Sequence, residues 1–283
     1  MYAVETKALT YRYPNTAKTA PPAIEDVSLA VEQGELLAII GQTGSGKSTL
    51  VQHLNALLRP TAGAVFADGK NIWDSKASIR AARFLVGLCF QYTEYQLFEE
   101  TVEKDIAFGP KNMGLDEKEI RRRVERSLEF VGLDESYLAK SPFDLSGGEK
   151  RRAAIAGVMA MEPRVLVLDE PTAGLDPAGK AQILRMIRRY REETGCTVLL
   201  ISHNMEEVAR MADRVLVMYR GRAAMLGTVP EVFSQGEKLQ GMGLTVPVIT
   251  RIFIKLRERG LPVSGDIFTV EQGVEELRRL IEK

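Results

Sequence analysis

The residues from Gly41 to Thr49 read GQTGSGKST, which fits the phosphate-loop pattern G-x-x-x-x-G-K-[ST] at Gly41, Gly46, Lys47 and Ser48. Each residue type in that pattern has a task. Gly44 and Gly46 let the backbone wrap an anion without a Cβ in the way, Lys47 can reach β and γ phosphates, and the Ser48 hydroxyl can ligate Mg²⁺. The nine residues Gly41, Gln42, Thr43, Gly44, Ser45, Gly46, Lys47, Ser48 and Thr49 are the candidate nucleotide cradle. Downstream, VLVLDE from Val165 to Glu170 delivers two carboxylates at the end of an apolar run. Asp169 is placed to hold Mg²⁺ or its water, and Glu170 to orient or deprotonate an attacking water. The N-K-x-D segment of many small GTPases is absent, as are the kinase sequences H-R-D and D-F-G. A second glycine pair stands in LSGGE, Leu145 to Glu149, where it opens a helix expected from Lys150 to Met161. Unpaired N–H groups at a helix start form an anion site, so a second one implies a second nucleotide or a second subunit.

These groups need elements to hold them. Val4 to Tyr11, Ile24 to Val31 and a hairpin turning at Asp68-Gly69 make the first 70 residues mostly β. Within them Leu36 to Ile40 is a buried strand ending in glycine, and Lys47 to Leu58 has a helical pattern that stops before Pro60. The loop therefore lies between a strand and a helix. From Thr101 to Met161 the periodicity is helical, with breaks expected at Gly109-Pro110, Gly132 and Pro142. Strands at Val165 to Leu168, Thr197 to Ile201 and, last, Val215 to Tyr219 alternate with helices at Ala178 to Arg191 and Met205 to Met211. Such alternation predicts an α/β fold with a parallel sheet covered on both faces. After Gly227 come short amphipathic helices near Val229 to Phe233, Val246 to Arg259 and Val270 to Ile281, read as a small appended domain.

Composition narrows the partners. The 283 residues carry 38 basic and 38 acidic side chains, which argues against a broad nucleic-acid face. The densest basic run, Arg121 to Arg123, falls opposite Ile120, Val124, Leu128 and Val131 and reads as a solvated helix face. The longest stretches without Asp, Glu, Lys or Arg are 12 residues, too short for a membrane helix, and no apolar run follows a basic start, so a cytoplasmic chain is expected. Cys89 and Cys196 lie in apolar runs and read as buried reduced thiols. His53 lies within the helix after the phosphate loop and reads as packing.

With LSGGE, the phosphate loop and the VLVLDE strand in this order, the chain resembles an ATP-binding-cassette (ABC) ATPase from about Val4 to Gly227. The resemblance implies a P-loop NTPase fold: a RecA-like parallel core, an N-terminal antiparallel β subdomain and a helical subdomain at about 101–161, all within 1–227, with a C-terminal helical dimerisation domain at 228–283. It also implies site residues. Tyr13, in YRYP, aligns with the aromatic that stacks on adenine, although Tyr11 projects to the same face of the strand. Gln91 aligns with the glutamine that senses Mg²⁺ and the γ phosphate, His203 with the histidine that contacts that phosphate, and Asp176 with the loop across the dimer interface. Two cassettes close head to tail in this family, so Ser146, Gly147, Gly148 and Glu149 would meet the partner's ATP.

One cassette without membrane spans resembles the ATPase subunit of a transporter. The stretch YTEYQLFEETVEKDIAFGPKNMG after Gln91 resembles the energy-coupling-factor (ECF) transporter ATPases, in particular the second of their two ATPases, with Thr93 where a proline is common. That implies a second homologous ATPase, a transmembrane coupling subunit and a substrate-binding membrane subunit for vitamins or transition-metal ions. It also implies a peripheral position on the cytoplasmic face of the cell membrane. Tyr92, Tyr95, Leu97 and Phe98, beside Glu94, Glu99, Glu100 and Glu103, form a candidate groove for a basic amphipathic helix. An ATPase of another ABC transporter and a soluble ABC regulator are the alternative readings.

Overall fold

A computed structural model describes residues 1–14 and 20–282; residues 15–19 and Lys283, which fall inside the two expected domains, lie outside the described residues. The chain runs β1 (Tyr2–Tyr11), β2 (Ile24–Glu32), β3 (Leu36–Ile40), α1 (Lys47–Leu54), β4 (Ala62–Ala67), β5 (Lys70–Asn71), α2 (Lys76–Leu85) and β6 (Val86–Cys89). It continues with α3 (Val102–Met113), α4 (Glu117–Val131), α5 (Gly147–Met159), β7 (Val165–Asp169), α6 (Pro177–Thr194), β8 (Thr197–Ile201), α7 (Met205–Met211), β9 (Arg214–Tyr219) and β10 (Arg222–Thr228). Four helices close the chain: α8 (Val229–Phe233), α9 (Gly236–Gly241), α10 (Val248–Glu258) and α11 (Val270–Ile281).

Two sheets result, an antiparallel one in the order β2-β1-β4-β5 and a larger one in the order β10-β9-β3-β8-β7-β6. In the larger sheet β9, β3, β8, β7 and β6 are parallel and only β10 is antiparallel. Side chains alternate across each strand, so successive residues enter different cores. Val165, Val167, Leu199, Ile201, Leu216 and Met218 face the antiparallel sheet and α1. Leu166, Leu168, Val198 and Leu200 face the other way, toward α3, α4, α5 and α6. Val215 and Val217 share that second side but meet the C-terminal segment, where Val232, Phe233 and Leu239 are buried with Ala38 and Ile40.

The appended segment is therefore not self-contained. Its first half completes the cassette's own sheet face, and only Phe253, Val263 and Ile267 form a small core of their own. The expected boundary after Gly227 falls inside β10, a strand the alternation missed because Met225 is its only buried residue. Phe233 is 1% exposed. Phe233→Ala should cost about 3–5 kcal/mol, and urea unfolding should still show one transition because the segment shares the cassette core. A separate early transition would mean the segment folds by itself.

Other expectations are also corrected. The helix expected to Leu58 stops at Leu54, followed by Ala56 at a φ of 56°. Gly109-Pro110 does not break α3, which ends at Gly114 with a φ of 80°. A Cβ on Gly109 would stand 2.5 Å from Met161 Cγ, so this glycine serves a close helix–helix approach, and packing overrides the hydrogen bond that Pro110 forgoes. Arg123 is not on a solvated face: it turns inward to pair with Glu119 at 2.7 Å and Glu162 at 3.1 Å. Both cysteines are buried and free, and burial pushes each thiol up to about 12. No helix among the described residues is long and apolar enough to cross a membrane.

Candidate functional site

The site forms at the carboxyl ends of the parallel strands, where ligands of such sheets bind. β3 ends at Ile40, the loop turns, and α1 begins at Lys47, so the loop's amides stand at a helix N-terminus. Its glycines are dictated by space. A Cβ on Gly41 would lie 2.3 Å from Met218 O, and one on Gly46, at a φ of 100°, would lie 2.7 Å from Ile24 Cγ2. The loop has one path, and Lys47 is locked into it. Its buried ammonium donates to Gly41 O at 2.8 Å and Gln42 O at 3.0 Å. Burial lowers its pKa, opposed by the negative charges of Glu170 and Asp169.

Ser48 Oγ donates to Asp169 Oδ2 at 2.7 Å. Burial raises the Asp169 pKa, the neighbouring Glu170 adds to it, and the Ser48 hydrogen bond and Lys47 oppose it. A hydroxyl and a buried carboxylate lacking a full charge partner are hard oxygen donors of the kind Mg²⁺ takes when phosphates supply the rest of its shell. Among the described residues no group of three or more His, Cys, Asp or Glu could form a metal cage. The pair thus fits Mg²⁺ carried by a phosphate ligand.

Glu170 follows β7 in the left-handed region, at a φ of 53°, with its N–H on Ile201 O at 3.0 Å. That sparsely used conformation turns the side chain off the strand and into the cleft. There it meets two other candidate site residues: Gln91 Nε2 donates to Oε2 at 3.1 Å, and His203 Nε2 lies 2.6 Å from Oε1. Four strand ends thereby converge on one cleft of about 530 Å³, lined by Tyr13, Lys47, Ser48, Gln91, Glu170 and His203 among others.

The structure separates the two tyrosines. Tyr11 is 8% exposed and packs edge-on against His53 and Tyr13, while Tyr13 is 41% exposed, lines the cleft and has its hydroxyl 3.1 Å from Thr49 Oγ1. His53 is fully buried with Nδ1 2.7 Å from Thr49 O, as a packing residue would be.

Ser146, Gly147, Gly148 and Asp176 do not line this cleft. α5 starts at Gly147, three residues earlier than expected, with Ser146 as its cap. Ser146 N and Oγ both donate to Glu149 Oε2, at 2.8 and 2.6 Å, and Tyr137 donates to Oε1 at 2.7 Å. The Ser146 and Tyr137 hydrogen bonds hold Glu149 at about 2. A Cβ on Gly147 would meet nothing within 4 Å, so the first turn faces open space. Asp176 caps α6 through Gly179 N at 2.8 Å.

Two buried charges escaped the sequence reading. Arg151 of α5 pairs with Glu94 at 3.1 Å and donates to Pro171 O and Ala173 O, tying this helix to the segment after Gln91 and to the loop after Glu170. Glu207 accepts from Thr172 and Ser202 hydroxyls, both at 2.9 Å, and so holds the His203 loop against the Glu170 loop. A charged residue inside a helical motif was the only signal for either.

Residues 24–173 match the ABC transporter family. The chain is 54% identical over 260 residues to the energy-coupling factor transporter ATP-binding protein EcfA2 of Clostridium perfringens, covering 92% of this chain and 91% of that one. It is 50% identical over 280 residues to the EcfA2 of Clostridium acetobutylicum, covering 99% and 98%. Among solved structures, cbiO1 from Clostridium perfringens, described as part of the ABC transporter complex cbiONQ, superposes with a TM-score of 0.76 at 37% identity over 92% of this chain and 97% of that one. The dimeric post-hydrolysis state of the ATP-binding cassette MJ0796 bound to ADP and Pi gives 0.72 at 27% identity, over 80% and 98%. With a phosphate loop, paired carboxylates and a serine-capped LSGGE helix, and half identical to named relatives along almost its whole length, the chain belongs to the ABC transporter family, among its energy-coupling factor ATP-binding proteins.

Proposed function

We propose that this chain is the ATP-hydrolysing subunit of an energy-coupling-factor ABC importer, and that it works by closing on a second, homologous ATPase around shared ATP. The observation that carries this reading is the convergence of Lys47, the Ser48–Asp169 pair and the Gln91–Glu170–His203 cluster on one cleft that Ser146, Gly147 and Gly148 do not line. In the proposed cycle Tyr13 stacks on adenine, a contact tolerant of base identity. Lys47 and the amides of Gly44 to Ser48 neutralise the β and γ phosphates. Mg²⁺, when bound, would draw charge from the phosphate oxygens, and Ser48, Asp169 and Gln91 are the residues that would hold it. Glu170 orients a water and takes its proton as the water oxygen attacks the γ phosphorus and the bond to the ADP oxygen breaks. His203 contacts the γ phosphate and, with Gln91, keeps the Glu170 carboxylate aimed. Ser146, Gly147 and Gly148 serve the partner's ATP.

ATP binds the closed pair better than the open one, so binding drives closure and hydrolysis releases it. The membrane partners take up that motion, from a peripheral position on the cytoplasmic face, and the cargo is a vitamin or transition-metal ion chosen by another chain. Tyr92, Tyr95 and Phe98 are exposed, at 52%, 84% and 58%, and Phe98 stacks edge-on with Phe108 at 4.9 Å. With the acidic residues Glu99 and Glu100 alongside, this surface suits a basic amphipathic helix of the coupling subunit.

Coexpression with a second ATPase and the coupling subunit should give a stable membrane complex. Changing Tyr95 and Phe98 together to Asp should abolish capture of the coupling subunit while ATP affinity stays within about twofold, a difference below 0.5 kcal/mol. Capture at wild-type yield would refute the docking surface, and full activity as a soluble homodimer would refute the transporter role.

A further inference from the structure

His203 reaches Glu170 from a short turn, and that turn is held by a carboxylate that does not line the cleft. Glu207, in the first turn of α7, is 5% exposed. Its Oε2 accepts from the Ser202 and Thr172 hydroxyls, both at 2.9 Å, and its Oε1 accepts from Asn204 Nδ2 at 3.3 Å. The two residues that flank His203 in the chain are therefore both fastened to one side chain. Two further bonds close the turn on itself: Asn204 N donates to Ser202 Oγ at 3.1 Å, and Glu207 N donates to Asn204 Oδ1 at 3.2 Å. At the other end stands the Glu170 loop. Glu170 N lies on Ile201 O, just before Ser202, and Thr172 follows Glu170 by two residues, with Ala173 N donating to Glu170 O at 3.1 Å. One carboxylate oxygen thus joins the two loops whose side chains meet at 2.6 Å in the His203–Glu170 contact. Its three side-chain donors are neutral, and a carboxylate buried among neutral donors contributes little stability of its own. What it supplies is a fixed geometry.

We infer that Glu207 is a positioning residue for ATP hydrolysis, fixing the turn that presents His203 to Glu170; this rests on the reading of Glu170 as the base that takes the proton of the attacking water. Without the carboxylate, the buried Ser202 and Thr172 hydroxyls lose their shared acceptor, the turn is free to swing, and Glu170 loses the neighbour that aims it. ATP binding does not depend on this route, because Lys47 is held by Gly41 O and Gln42 O of its own loop.

The test combines steady-state ATP hydrolysis by the assembled complex with ATP titration of the full chain. The variants are Glu207→Ala, Glu207→Gln, Ser202→Ala, His203→Ala and the two doubles that join His203→Ala to Glu207→Ala or to Ser202→Ala. Glu207→Ala should lower kcat about a hundredfold, the effect of a reacting group misplaced by about 1 Å, while KM and ATP affinity stay within about twofold. Gln keeps an oxygen that can accept from both hydroxyls, so Glu207→Gln should bring kcat back to within about threefold of wild type. Ser202→Ala cuts the turn's own link and should lower kcat about tenfold even where Glu207→Ala fails to fold. Once His203 is gone, neither substitution should change the remaining turnover by more than about twofold. Wild-type kcat in a folded Glu207→Ala or Ser202→Ala variant, or undiminished losses in the His203→Ala background, would overturn the inference. Undiminished turnover in Glu170→Gln would instead overturn the base assignment on which it rests.

Discussion

Glu170→Gln should reduce ATP turnover by the assembled complex by two to four orders of magnitude, the range that a positioned general base contributes. ATP binding should survive. The amide keeps the size and hydrogen-bonding reach needed to stay between Gln91 and His203, and it leaves Lys47, Ser48 and Asp169 untouched. What it lacks is the capacity to accept a proton from the attacking water. Two readouts separate these effects: phosphate release under saturating ATP, and ATP-dependent association of the two ATPases. Slow release with persistent association is the expected pair. Turnover within about threefold of wild type, less than 1 kcal/mol of barrier, would remove Glu170 from the base role.

Lys47→Ala should act at the earlier step, weakening ATP binding at least tenfold. The ammonium is buried, and burial has already lowered its pKa, so the charge is held out of water by Gly41 O, Gln42 O and the nearby carboxylates. A cation kept in that position interacts strongly with phosphate because little solvent screens it. Deleting it leaves Asp169 and Glu170 facing an anionic ligand without compensation. Direct titration with ATP measures the effect, and equal affinity in variant and wild type would sink the assignment. The two substitutions thus divide binding from chemistry.

Much of this site is legible in the sequence because its spacing is tied to backbone geometry. A glycine pattern between a buried strand and a helix leaves one path for the loop, and an apolar run ending in Asp-Glu can deliver carboxylates only at a strand end. Gln91 and His203 are less legible: each follows a strand, but nothing local says that both strand ends meet Glu170, and it was the family resemblance that singled them out. Tyr13 and Tyr11 share a strand face in sequence terms, and only the packing of Tyr11 on His53 separates them. The missed features are tertiary. β10 has one buried side chain and so no alternation to read, α3 runs through Gly109-Pro110 because α5 packs there, and the C-terminal segment carries no local mark of the β3 residues it covers.

The Arg151–Glu94 pair limits how the molecule can bend. Both side chains are largely shielded, at 7% and 20% exposure, and parting them would strand a buried charge at a cost of about 3–5 kcal/mol. A rotation of the helical block that left residues 92–98 behind would bear that cost on every cycle. Rotation that carries the segment along keeps that pair, but Arg151 would still have to leave Pro171 O and Ala173 O in the loop after Glu170. One guanidinium thus joins the helical block, the segment that bears the exposed aromatics and the loop beside Glu170, so strain applied at residues 92–98 reaches the cleft without passing through the sheet.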